Sequence, residues 1–153
     1  MSDVPDESLA KIRADIAGYE GLEGESFWAE PLGEDCYRLR NTPWYVYDVN
    51  FLDVVRAVPK EPGDLPTIVE VVERSGHETF RVLFDPVVTN DEIKSILGTM
   101  SEAAVNYESA DGRFYALDVR PEADYQAVCE LLRRLEEEGR LNYEAGTAPP
   151  DSP

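Results

Sequence analysis

The chain carries one histidine, His77, within the stretch VVERSGHETFRV, residues 71–82, and an arginine lies on either side of it, Arg74 and Arg81. Imidazole, hydroxyl and guanidinium so close together suit more than one chemistry. With Ser75 and exposed turn amides, His77, Arg74 and Arg81 can hold a carboxylate or a phosphate. His77 can instead act as a general base. That reading is weaker, because Ser75 lies two residues away in the same turn and tends to point to the opposite face, and no orienting carboxylate is legible nearby. The plainest reading is a hairpin tip whose only task is to turn the chain.

A second group is aromatic: Trp28, Tyr37, Trp44, Tyr45, Tyr47 and Phe51. Large side chains of this kind fill a small barrel. They also anchor ligands and interfaces. Trp44 and Tyr45 are adjacent, so on a strand they point to opposite faces, and at least one is then available outside a core. Trp44, Tyr45, Asp48, Arg74, Ser75, His77 and Arg81 are therefore the residues expected to contact a ligand or partner, with His77 the one weak catalytic candidate. Cys36 and Cys129 are far apart and neither belongs to a CxxC pair, so two cysteines and one histidine give no zinc pattern. No Walker loop, HExxH, GxSxG or GxGxxG occurs, and no cofactor is expected.

The charge balance constrains the partners. There are 32 Asp and Glu against 14 Lys and Arg, a net charge of −18. Such a surface repels phosphate backbones, so nucleic acid and anionic membrane are poor partners. A basic protein surface is a good one, because opposite potentials speed encounter. Acidity also simply keeps a protein soluble or adapted to salt. Glu136, Glu137 and Glu138 close a predicted helix, where they oppose its dipole and form either a solvated face or a docking surface. No apolar run reaches the ~20 residues of a membrane span, and the N-terminus MSDVPDES does not resemble a signal peptide, so a cytoplasmic protein with free thiols is expected.

The elements follow from patterning. Leu9, Ile12 and Ile16 make a helical stripe across residues 6–18, with Asp6 as N-cap and Gly18 as terminator. From 26 to 59 the chain reads as short strands, SFWAEPL, CYRLRN, WYVYDV and FLDVVRAV, which suggest a small barrel. The Pro- and Gly-rich KEPGDLP, 60–66, marks an internal boundary. A two-residue loop at Ser75–Gly76 would pair Val71 with Phe80 and Glu70 with Arg81, and would set Arg74 opposite His77. Thr89 and Glu92 form a capping box ahead of Ile93, Ile96, Leu97 and Met100. A hairpin spans 103–119, with a loop at 110–112 that pairs Tyr107 with Tyr115. A helix starts at Pro121 and runs to about Glu138, ended by Gly139. The strand RLNYEAG precedes a polar tail, TAPPDSP. The succession strand, helix, strand, strand, helix, strand from Thr79 onward is the split βαβ, ferredoxin-like order. In that fold the first strand is interior, so it cannot also pair along its length with residues 67–74.

The stretches FWAEPLGEDCYRLRNTPWYVYDVNFLDVV, VVERSGHETFRV, YALDVRPEADYQAV and LNYEAG together resemble a bacterial family known as domain of unknown function 4265, common in high-GC actinobacteria. The resemblance covers about residues 25–146 and rests on Trp28-Ala29-Glu30, Tyr37-Arg38-Leu39, Asn41 with Pro43, and Arg74-Ser75-Gly76-His77. Asp48 stands where that family's turn carries glycine. The resemblance implies the layout and a bacterial source, and no activity.

The sequence thus predicts an α+β protein in four parts. These are an N-terminal helix and linker (1–23), a small β-barrel-like half (24–66), a ferredoxin-like half (67–146) and a disordered tail (147–153). Its expected function is non-enzymatic: occupation of a basic protein partner, as an immunity-type protein or another regulatory inhibitor does. The alternative is a small-molecule sensor or carrier holding an anionic or aromatic metabolite between the halves. A small enzyme using His77 is the third reading.

Overall fold

Alternation with period two, not the helical stripe, governs residues 10–15. In the computed structural model, which describes residues 8–16, 24–109 and 111–147, this segment is a strand, β1 (Ala10–Asp15), with Ile12 and Ala14 buried. Ala10, Ile12 and Ala14 alternate with Lys11, Arg13 and Asp15, so the same residues satisfy a strand, and pairing along six positions of β2 selects it. The predicted N-cap Asp6 and terminator Gly18 lie outside the described residues, as does the predicted tail apart from Thr147.

Five strands close a barrel: β1, β2 (Gly24–Gly33), β3 (Cys36–Leu39), β4 (Val54–Pro59) and β5 (Pro66–Glu73). Neighbours pair antiparallel except β1 and β5, which meet in parallel at Arg13 and Thr67. Two expectations fail here. KEPGDLP does not separate two halves; it joins β4 to β5, so residues 66–73 belong to the barrel. Of the six predicted aromatics only Tyr37 packs against its core, and it is only partly buried. The barrel interior is Ile12, Ala14, Phe27, Ala29, Leu39, Val55 and Ala57, and Trp28 lies about half exposed on the outside. Five strands enclose little space, and Ala14, Ala29 and Ala57 leave room in it for Phe27, Ile12 and Leu39.

The second sheet has the order β7-β8-β6-β9, built from β6 (Glu78–Phe84), β7 (Val105–Ser109), β8 (Phe114–Val119) and β9 (Leu141–Ala145). Helices α1 (Asn90–Glu102) and α2 (Tyr125–Glu137) bury Ile93, Leu97, Met100, Val128, Leu132 and Leu135 against one face of it. β6 is flanked along its length by β8 and β9, so it has no free edge for β5. The hairpin expected between residues 67 and 84 therefore does not form, and Arg74–His77 is instead a crossing from barrel to sheet. Gly76 makes that crossing at φ +92, in the left-handed region that glycine tolerates best.

The capping box at Thr89 and Glu92 is present in full. α2 starts later than predicted: Asp124 accepts from the Ala127 amide and caps it, while the three residues before it form a turn. The β7–β8 hairpin keeps the predicted facing but slips by two, pairing Tyr107 with Leu117 and Ser109 with Tyr115. The loop is centred one residue later, where Asp111 accepts from the Arg113 and Phe114 amides and fixes the turn.

Candidate functional site at the barrel–sheet junction

Strand parity gives the second sheet two unlike faces. Phe80, Val82 and Phe84 of β6 point to the helices, so Thr79, Arg81 and Leu83 point the other way. The pairings arrange this helix-free face in rows across three strands: Phe114–Leu83–Asn142, then Ala116–Arg81–Glu144, then Asp118 beside Thr79. Over it lies the segment 40–53. The predicted strand WYVYDV within that segment does not form. Its backbone follows no ladder, because Asp48 and Leu52 adopt positive φ, +69 and +68. The Glu25 carboxylate takes the successive amides of Trp44 (2.5 Å), Tyr45 (3.0 Å) and Val46 (3.0 Å). This satisfies donors that a strand would have given to a neighbour.

The middle row holds the segment down. Arg81 is buried; its Nε donates to Glu144 (3.0 Å) and its Nη1 to the Val46 carbonyl (3.0 Å). Its guanidinium carbon lies 5.0 Å from the centre of the Tyr47 ring, and the Tyr47 hydroxyl donates to Glu144 (2.7 Å). Trp44 and Tyr45 pack on Phe114, with ring centres 5.6 and 5.9 Å away. At the far end the Asp48 amide donates to the Gly146 carbonyl and the Gly146 amide to the Thr79 carbonyl, both at 2.7 Å. A Cβ at Gly146 would sit 2.8 Å from Thr79 Cβ, so this approach requires glycine.

The crossing Arg74–His77 is bonded to the same segment. Asp53, fully buried, accepts from the amides of Asn50 (2.9 Å) and Ser75 (2.8 Å) and pairs with Arg74 at 3.4 Å. Arg74 also donates to the Asp48 carbonyl, and the Ser75 hydroxyl to the Phe51 carbonyl (2.7 Å). The Thr79 hydroxyl donates to the Asn50 side chain (2.6 Å). His77 Nδ1 lies 2.7 Å from Asp118 Oδ1, and Phe51 meets the imidazole edge-on. A carboxylate only accepts, so Nδ1 carries the proton and a neutral imidazole leaves its lone pair on Nε2.

All seven residues predicted to contact a ligand or partner thus gather at one junction. They gather there to bond the halves of the protein to each other. His77 and Asp118 form the base-and-orienter half of a catalytic arrangement. The Ser75 hydroxyl faces the Phe51 carbonyl and accepts the His77 amide, so it is already engaged. Glu25, Asp53 and Asp118 are the functional partners that sequence reasoning missed. Among the described residues no group of three His, Cys, Asp or Glu could hold a metal ion, and no helix is long and apolar enough to cross a membrane.

Beside the junction, burial and then the charge of Asp53 push Glu78 above the usual carboxylate range, against the pull of Arg74. Burial, and then Cys129, push the Tyr125 hydroxyl up to about 12.

A family model described as "Domain of unknown function (DUF4265)" matches residues 25–143. A solved structure, described as "Novel crystal structure of a hypothetical protein from Neisseria gonorrhoeae", is similar with a TM-score of 0.79 and 14% identity, over 91% of this chain and 94% of that one. At that identity the likeness is one of fold. No curated protein matches the chain.

Proposed function

Because the chain belongs to the DUF4265 family, whose name assigns it no activity, we propose a function from its charge distribution: it is an acidic binding protein that occupies a basic surface on a protein partner, as an immunity protein or another small regulatory inhibitor does. One observation supports this most directly. Apart from Lys11, Lys94, Arg133 and Arg134, every lysine and arginine is directed onto a carboxylate or carbonyl of the chain itself. Most of the cations are thus engaged within the chain, whose net charge is −18. A surface so arranged attracts a cationic partner over a Debye length of about 10 Å at moderate salt.

The reading includes a bacterial, actinobacterial source and a cytoplasmic location, with neither nucleic acid nor membrane as partner. It also takes the second half as ferredoxin-like, supported by the order β7-β8-β6-β9 and the strand–helix–strand–strand–helix–strand succession. The test is titration against basic proteins encoded beside it, at low and high salt. The expected result is an association rate that falls steeply with salt. Equal affinity and rate at both would remove the proposal.

A further inference from the structure

The segment 40–53 covers the helix-free face of the second sheet over the Arg81 and Thr79 rows and reaches the outer row only at Phe114, beneath Trp44 and Tyr45, which leaves Leu83 and Asn142 open. There a cavity of about 300 Å³ lies between Tyr45, Phe114, Leu83, Arg81 and Glu144, with Asn142 at its edge. Leu83 is half exposed although its strand is hydrogen bonded on both sides. We propose that this cavity binds a planar aromatic molecule that carries amino or ring N–H donors and no anionic group.

Shape and size come from the lining. The Tyr45 and Phe114 rings are nearly parallel, at 17° with centres 5.9 Å apart, and line the space together with Leu83, so it suits a ring that continues the stack. The volume is at the small end of ligand pockets, which fits one or two fused rings. Polarity comes from the second row. Arg81 and Glu144 lie in the pocket wall as an ion pair, but Arg81 is 1% exposed and Glu144 40%. The charge a ligand meets is therefore the carboxylate. Glu144 accepts from Arg81 on one oxygen and Tyr47 on the other, and its side chain remains partly in solvent, so its negative charge faces the pocket. The Asn142 side chain, exposed at the rim, is without a protein hydrogen-bond partner among the described residues and offers both a donor and an acceptor. A carboxylate or phosphate on the ligand would face Glu144 and the field of a strongly acidic protein; an amine would be attracted by both, and by the faces of the rings.

The test uses amide chemical shifts of the whole ¹⁵N-labelled chain, titrated with tryptamine, with indole-3-acetate as a matched ring of opposite charge and with n-butylamine as a charge without a ring. The expected result is a saturable shift of the Leu83, Phe114 and Asn142 amides with tryptamine, and affinity at least about tenfold weaker for the other two. Leu83→Arg should abolish the tryptamine shifts. Tyr45→Ala, which leaves the Arg81 Nη2 bond to the residue 45 carbonyl (3.3 Å) in place, should weaken them and serves if the arginine variant loses its dispersed spectrum. No shift of those amides with tryptamine would overturn the proposal. So would equal shifts with n-butylamine or indole-3-acetate, or shifts unchanged in both variants.

Discussion

The two faces of the second sheet are built from the same strands and held by different physics. On the helix side Phe80, Val82, Phe84, Leu117 and Val119 meet two amphipathic helices, and the attraction scales with buried apolar area, roughly 1.5–3 kcal/mol for each large side chain. On the other side Thr79 and Arg81 bond Asn50 and Val46 of a segment without regular structure, Arg81 also pairs with Glu144 of its own row, and Asp118 meets His77 of the crossing. Each such bond adds only about 0.5–1.5 kcal/mol net, yet removing one partner strands the other at a cost of about 1–3 kcal/mol. The helix side thus supplies stability, and the loop side fixes where the barrel sits.

The largest expected effect breaks the first face. Leu117 is fully buried and central, so Leu117→Ala should cost about 4 kcal/mol, read as a lower urea midpoint with protection lost throughout the sheet and both helices. Asp53→Ala tests the second face. It leaves the buried amide of Asn50 and the half-buried amide of Ser75 without their acceptor and should cost about 3 kcal/mol. The difference between the faces predicts where the damage falls. Hydrogen exchange should quicken at Asn50, Ser75 and the 44–48 amides, while Ile93–Met100 stays protected. Uniform loss of protection in Asp53→Ala would mean that the loop side carries global stability as well.

A milder pair sharpens the same contrast. Asp118 is buried with two partners, His77 at 2.7 Å and Asn106 at 3.3 Å. His77→Ala should cost about 2 kcal/mol and His77→Gln about 1 kcal/mol, because glutamine can still donate to the carboxylate. If His77 were only a loop-tip residue, both changes would be neutral in thermal unfolding.

The helix side was the more legible face, for a reason these costs expose. Its signals are local: the Thr89–Glu92 box, the stripe Ile93, Leu97, Met100, and Gly139 after α2 are each readable within a few residues. The barrel depends on pairings between residues far apart in sequence. Val71 and Phe80 look like good cross-strand partners, and nothing in residues 67–84 says that β8 and β9 already occupy both edges of β6. The seven residues singled out from the sequence do converge, but their partners Glu25, Asp53 and Asp118 were hidden among 32 acidic residues. The available hint was context. Asp53 and Asp118 each sit inside an apolar run, FLDVV and YALDV, where a solvated carboxylate is out of place.

Asp48 gives a smaller effect of opposite sign. It holds φ +69, in the left-handed region where a non-glycine residue is strained. Asp48→Gly should relieve that strain and raise stability by about 0.5 kcal/mol, a gain in melting temperature with the Asp48–Gly146 and Arg74–Asp48 backbone bonds kept. A loss of stability would mean that the aspartate side chain contributes more than the turn costs it.

The smallest effect appears only as pH is varied. Glu78 stands at the end of β6 where the two faces meet the crossing, and burial together with Asp53 holds its pKa above the ordinary 4.5. A raised acid binds its proton more tightly in the folded than in the unfolded chain. Stability from this group is therefore fully present below pH 4.5 and is lost as pH rises through the folded value. Glu78→Gln keeps the side chain uncharged at every pH. Relative to the parent it should be neutral at about pH 4 and modestly more stable at about pH 7. The gap should shrink in Asp53→Asn, which removes one cause of the shift while leaving the burial. A stability difference that is the same at both pH values would show that the carboxylate is already ionised freely, with the crossing open to water.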